Sequence, residues 1–75
     1  MKRVYADFND IASDGTLPLT CAGSRDSIAE LPEALREGEL VQLSDGELIV
    51  LATVHRRVDG AWEGHSDWKF VGEGK

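Results

Sequence analysis

Two histidines and two acidic residues near the C-terminal end have types and spacing that suit metal binding. They are His55, Glu63, His65 and Asp67. A β-hairpin would collect them on one face, because cross-strand neighbours lie about 5 Å apart at Cβ. Imidazole and carboxylate groups are ligands for zinc or iron. The simpler interpretation is a row of solvated charge pairs on a strand, and we expect no cofactor.

A second pattern resembles a calcium-binding loop but departs from it at key positions. Asp10, Asp14 and Gly15 follow the start of an EF-hand loop, yet Ala12 and Cys21 occupy positions that need oxygen ligands. The pattern therefore predicts a turn.

Nucleophilic catalysis finds no support in the sequence. Cys21 is the one cysteine, so an internal disulfide is impossible. Its acidic surroundings disfavour the thiolate, and a small buried residue is the simpler interpretation. No nucleophile–base pair and no glycine-rich phosphate loop are identified. We expect no catalytic residues and a protein that is not an enzyme.

The charge of the chain narrows the choice of partners. Its 75 residues include 8 Lys and Arg against 14 Asp and Glu, giving a net charge of −6. This sign disfavours nucleic acid and anionic membranes. Residues 7–47 carry ten acids against two arginines, a net −8, whereas residues 48–75 are neutral. The acidic segment 7–47 is therefore either a docking face for a basic protein or a solvated surface that keeps the chain soluble.

Basic and aromatic residues are mixed in the C-terminal part, at Arg56, Arg57, Trp62, Trp68 and Lys69. Small barrels bind single-stranded nucleic acid through such mixtures. A nucleic-acid or ribosome-associated barrel is therefore the alternative function. For Arg56 and Trp62 the simpler interpretation is a cation–π pair, with the arginine over the indole ring.

The elements that would position these residues are mostly strands. Alternating apolar residues predict a first strand through Val4, Ala6 and Phe8, and a second near residues 16–21 that Pro18 confines to a sheet edge. Helical spacing predicts a short helix near 25–31, capped by Ser27, Asp26 or Ser24 and followed by a turn that starts at Pro32. A three-stranded meander follows, with strands at 40–44, 47–57 and 61–71.

Two Asp-Gly pairs join these last strands. At Asp45-Gly46 a two-residue loop would pair Leu43 with Leu48 and Val41 with Val50. At Asp59-Gly60 a three-residue loop with a bulge would pair Arg57 with Ala61, Val54 with Gly64 and Val50 with Trp68. Both registers put apolar residues on one shared face, which also includes Phe70.

The opposite face of the meander holds an apolar cluster of Leu40, Ile49 and Leu51. The helical residues Ile28, Leu31 and Leu35 are the expected cover. Otherwise the cluster is an interface for a partner or a second copy.

The architecture expected for residues 1–75 is a single, mainly β domain: a small five-stranded SH3-like barrel with one short helix near 25–31 and the C-terminal meander. An OB-type barrel and an open sheet with the helix on one face are the alternatives. The segments Ala6-Asp7-Phe8-Asn9, Gly23-Ser24, Glu37-Gly38-x-x-Val41-x-Leu43 and Asp67-Trp68 resemble short bacterial proteins of uncharacterised function with this SH3-like pattern. The resemblance implies a fold and carries no catalytic residues.

The function expected from the sequence is a binding or accessory module that acts through protein–protein contacts. Its expected partner-binding residues are Leu40, Ile49, Leu51, Arg56, Arg57 and Trp62. The partner would be another protein or a second copy, with no membrane involved. No apolar segment of this chain is long enough for a signal or a membrane span, and we expect a cytoplasmic protein.

Overall fold

The computed structural model describes residues 1–73, of which 70–73 as backbone only. These residues form a mixed β-sheet and one short helix, which confirms the prediction of a mainly β fold. The elements in chain order are β1 (Arg3–Tyr5), a 3₁₀ turn (Phe8–Asp10), β2 (Thr16–Pro18), α1 (Ala22–Ala29), β3 (Leu40–Ser44), β4 (Leu48–Arg56), β5 (Trp62–His65) and β6 (Phe70–Glu73). Within the described chain no helix is long and apolar enough to cross a membrane.

The sheet is open, and the described residues do not close the five-stranded barrel predicted from the sequence. The main path runs β1-β3-β4-β5-β2, and β6 pairs with β4 beside β5. Strand β1 is parallel to β3, and the other pairs are antiparallel. The end strands β1 and β2 have three residues each. Strands β1 and β2 do not pair with each other. Serine side chains of α1 bond the outer edge of β1, and Pro18 leaves β2 without one N–H.

Helix α1 covers the outer edge of β1. The buried Ser24 donates its hydroxyl to the carbonyl oxygen of Tyr5 at 2.6 Å, and the Ser27 hydroxyl accepts from the Tyr5 N–H at 3.1 Å. A Cβ at Gly23 would lie 2.6 Å from the Tyr5 ring, so glycine permits this close approach. Two serine side chains thus take the place of a further strand.

Helix α1 begins three residues earlier than the predicted start at 25 and ends before the predicted 31. Its N-cap is Cys21, whose sulfur accepts from the Ser24 N–H at 3.4 Å. Ser27, one of the predicted caps, bonds Tyr5 instead. Pro32 lies beyond the helix end, as predicted. Strand β2 carries Pro18 and is an edge strand, which confirms that prediction.

The core lies on one face of the sheet. Its buried members are Val4, Ala6, Leu17, Leu19, Leu35, Val41, Leu43, Val50, Ala52 and Val54. Ile28 and Leu31 also pack against this core. The prediction that these helical residues and Leu35 cover Leu40, Ile49 and Leu51 is therefore wrong. The helix is held at the sheet edge by its two serines, and its apolar residues face the core side of the sheet.

The first hairpin keeps the predicted faces but shifts in register by two residues. Leu43 pairs with Val50, not with Leu48, and Ser44 pairs with Ile49. The loop is longer because the Asp45 carboxylate accepts from the backbone N–H groups of residues 47 and 48. This side-chain cap holds a four-residue turn.

The second hairpin has the predicted bulged loop up to residue 65. The Arg57 N–H donates to the Ala61 carbonyl at 2.7 Å, Gly60 has φ +87°, and Val54 pairs with Gly64. Beyond His65 the predicted continuous strand is wrong, because residues 66–69 are not in strand conformation and separate β5 from β6.

This interruption moves the register, so that Val50 pairs with Phe70 and not with Trp68. Trp68 has φ +59°, and its indole N–H donates to the Gly15 carbonyl at 2.8 Å. The side chain of Phe70, predicted to face the core, lies outside the described side chains.

The Ser24 bond to β1 yields a stability prediction. We expect Ser24→Ala to lower the free energy of unfolding by about 1–2 kcal/mol, because the Tyr5 carbonyl loses its donor inside the helix–strand contact. Urea unfolding measures this change. Ser13→Ala, in an exposed loop, is the control. Equal stability of the two variants would contradict the role of Ser24 in covering this edge.

Candidate functional site

The residues predicted to bind a partner fall into two separate places. Trp62 and Arg56 lie at one end of the sheet, next to helix α1. Leu40 and Leu51 lie on the outer face, the side of the sheet opposite the core, and are 48% and 37% exposed. Ile49 is only 9% exposed, so the predicted three-residue cluster is not one open patch.

A pocket next to Trp62 has mainly apolar walls. We call it the Trp62 pocket; it is lined by Leu19, Thr20, Arg25, Ile28, Ala29, Ala61 and Trp62. Its volume of about 410 Å³ lies at the lower end of the range for ligand sites. The Leu19 N–H donates to the Trp62 carbonyl at 2.9 Å, which places the extension of β2 beside the indole. The last turn of α1 forms the facing wall.

The charges at this pocket are positive. The guanidinium of Arg56 lies 4.6 Å from the centre of the Trp62 ring, which confirms the predicted cation–π pair. Arg25 is exposed on α1 and lines the pocket. Arg57, by contrast, points to Asp59 at 3.6 Å. One guanidinium, that of Arg25, therefore lines the pocket, and a second lies against the ring of Trp62, on a chain whose net charge is −6.

The outer face of the sheet holds a hydrogen-bonded chain of three side chains. We call it the Glu37–His55–Thr53 chain. The Glu37 carboxylate lies 2.6 Å from His55 Nδ1, and His55 Nε2 lies 3.1 Å from Thr53 Oγ1. The same carboxylate accepts the Arg56 N–H at 2.7 Å. That N–H and His55 hold the pKa of Glu37 below its usual value.

A groove adjoins this chain on the outer face. The outer-face groove is lined by Leu40, Leu51, Ala52, Thr53, His65, Ser66, Asp67 and Lys69, with a volume of about 480 Å³. Leu40 and Thr53 are direct cross-strand partners. The exposed leucines therefore lie next to the Thr53 hydroxyl.

The four residues of the predicted metal set are only partly brought together. The His55 and His65 rings pack edge to face with centroids 4.6 Å apart, and His65 Nε2 is hydrogen-bonded to Glu63. The Asp67 carboxylate instead accepts the Lys69 N–H. Across residues 1–73 no three or more His, Cys, Asp or Glu side chains are grouped so as to hold a metal ion.

Several carboxylates of the acidic segment 7–47 are used inside the fold. Asp7 accepts the Asn9 N–H, and Asp14 accepts both the N–H and the hydroxyl of Thr16. Glu39 pairs with Lys2 at 2.7 Å. These acids hold turns and loops in place. Fewer carboxylates of the segment 7–47 are therefore free to contact a basic partner than its net charge indicates.

Sequence reasoning missed the Glu37–His55–Thr53 chain and the Trp62 pocket. Thr53-x-His55 on a strand was a usable signal, because alternate residues share a face. Nothing in the sequence placed Glu37, which reaches β4 from the loop before β3. The pocket depends on how α1 lies against Trp62, which local spacing does not specify.

Comparison with protein-family models, with curated proteins and with solved structures finds no match for this chain.

The lowered carboxyl pKa values predict how stability depends on pH. The N–H groups of Leu48 and Glu47 lower the pKa of Asp45 from 3.8, so the unfolded chain binds this proton at higher pH than the folded chain. Its contribution is complete above the unfolded pKa and is lost as pH falls through the folded value. We expect Asp45→Asn, which keeps an acceptor oxygen, to reduce the loss of stability between about pH 5 and pH 3.

Urea unfolding at stepped pH measures this dependence. The control is Glu47→Gln, which removes the same charge from the same turn. If both variants change the pH dependence equally, net charge and not the turn hydrogen bonds determines the acid response.

Proposed function

We propose that this chain is a small protein-binding module whose Trp62 pocket takes a large apolar side chain from an acidic peptide segment. The observation that carries the proposal is the pocket itself, an apolar cavity lined by Arg25 and by Trp62, whose ring contacts the Arg56 guanidinium. Trp and Arg are also the residues most often responsible for binding energy at protein interfaces.

The apolar walls support a side chain as the occupant. Leu19, Ile28, Ala29, Ala61 and Trp62 offer little to hydrogen-bond, and Thr20 and Arg25 supply the polar groups. Burying an aliphatic or aromatic side chain there removes apolar area from water on both partners. A volume of about 410 Å³ accommodates one such side chain with part of its backbone.

The two guanidinium groups support acidic neighbours in the peptide. Charges more than about 8–10 Å apart are largely screened at physiological salt, so we expect the charged groups nearest the pocket to set the preference. Each exposed ion pair contributes about 0.2–1 kcal/mol, so two predict up to about thirtyfold tighter binding of an acidic peptide. The single cysteine suits a reducing compartment, and we propose the cytoplasm.

Peptide titration followed by NMR tests the proposal. Blocked peptides with a central Leu, Phe or Trp flanked by Glu, Gln or Lys are added to ¹⁵N-labelled protein. We expect shifts at Ala29, Ala61 and the Trp62 indole N–H, with the Glu-flanked peptides binding tightest. Arg25→Gln and Arg56→Gln should reduce the advantage of Glu over Gln peptides, whereas Arg36→Gln, outside the pocket, should leave it unchanged.

A filled pocket provides the second arm. Ala29→Phe should abolish peptide binding by occupying the cavity, and Ala22→Phe, in the first turn of the same helix, is the matched control. Binding by Ala29→Phe at the wild-type level would overturn the proposal. Preference for Lys-flanked peptides would favour the acidic segment 7–47 as the docking face instead. Equal shifts with single-stranded oligonucleotides, lost with salt, would favour the nucleic-acid alternative.

A further inference from the structure

The Glu37–His55–Thr53 chain has the connectivity of a nucleophile, a general base and an orienting carboxylate. Glu37 lies at the Nδ1 side of His55 and Thr53 at the Nε2 side. An ionised carboxylate only accepts hydrogen bonds, so Nδ1 carries the proton and Nε2 is left as an acceptor for the threonine hydroxyl. This tautomer is the one that allows the imidazole to take a proton from Oγ1.

The hydroxyl faces a place where an acyl group fits. Thr53 lines the outer-face groove together with the exposed side chains of Leu40 and Leu51. The Thr53 hydroxyl is 3.1 Å from His55 Nε2 and 3.5 Å from the His65 carbonyl, so the imidazole is the nearer acceptor. Lys69 and Asp67 also line the groove, the first with a positive and the second with a negative charge.

We propose that Thr53 is an acyl acceptor, and that the outer-face groove hydrolyses carboxylic esters with a short apolar acyl chain. This activity is distinct from peptide capture in the Trp62 pocket. Thr53 Oγ1 attacks the ester carbonyl while His55 Nε2 takes the hydroxyl proton. The bond to the leaving alkoxide breaks, and the imidazolium returns the proton to it. Water, deprotonated by His55, then attacks acyl-Thr53, giving the carboxylic acid and the free hydroxyl.

Glu37 is a positioning residue in this scheme. Its second oxygen accepts the Arg56 N–H, which fixes the carboxylate against β4. In Glu37→Gln the amide oxygen still serves that N–H, and the amide NH₂ then faces Nδ1. The imidazole must accept there, so its proton moves to Nε2 and Thr53 loses its base.

The direct test uses p-nitrophenyl butyrate, with nitrophenolate release followed optically and the acylated residue mapped by mass spectrometry. We expect one butyryl group on Thr53 and turnover that falls about 100-fold or more in Thr53→Val and His55→Gln. Thr16→Val is the matched control, since Thr16 is also a strand threonine but bonds Asp14. Thr53→Ser should retain the adduct, and thermal unfolding checks that each variant is folded.

Glu37→Gln adds a readout that a merely structural role would not change. We expect a lower rate constant for acylation with an unchanged KM, together with a switch of the His55 tautomer in ¹⁵N NMR. Butyrylation or nitrophenolate release that persists unchanged in Thr53→Val would overturn the proposal. So would release by the wild type that does not exceed that of Thr53→Val, or a His55 tautomer in the wild type with the proton on Nε2.

Discussion

Strand β4 holds the molecule together because it is hydrogen-bonded along both edges. One edge pairs with β3, and the other pairs first with β6 and then with β5. Two short strands share that second edge, and residues 66–69 interrupt the ladder between them. The Ser66 hydroxyl donates to the Leu51 carbonyl at 2.7 Å and supplies a bond that the interrupted ladder lacks. The alternation of β4 then places Val54 in the core and Thr53 and His55 on the outer face.

Side chains satisfy much of the backbone in this small protein. Its end strands have three residues and its helix eight, so many N–H and C=O groups lie outside regular ladders. Asp45, Asp59 and Asp67 accept backbone N–H groups at turns, and Ser24 and Ser27 satisfy the edge of β1. Among the described residues, no buried side-chain nitrogen or oxygen lacks a hydrogen-bond partner. Part of the acidic composition is therefore a structural requirement of the turns.

Glu37 connects the two proposed sites. One of its oxygens bonds the N–H of Arg56, whose guanidinium lies over Trp62, and the other bonds the imidazole of His55. Adjacent residues on β4 thus contribute to opposite sides of the sheet. The loop before β3 contacts both His55 and Arg56 through the Glu37 carboxylate. The backbone of the same loop pairs with Val54, through the Gly38 N–H and the Glu39 carbonyl. A change in this loop therefore acts on the pocket and on the groove together.

The sequence by itself determined the first two strands of the meander and the start of the third, the edge position of β2 and the bulged loop at Gly60. Those features depend on alternation, on a proline without an N–H and on a glycine at positive φ, all of which are local properties. The two-residue register shift comes from the Asp45 side chain, a local interaction that the alternation pattern does not reveal. Tertiary structure decided the open sheet and the place of α1. Ser24 and Ser27 could have capped a helix, and only the arrival of Tyr5 beside them made them partners of a strand edge. The same holds for the site: Thr53 and His55 share a face because strands alternate, but Glu37 joins them through a loop whose path no local pattern specifies.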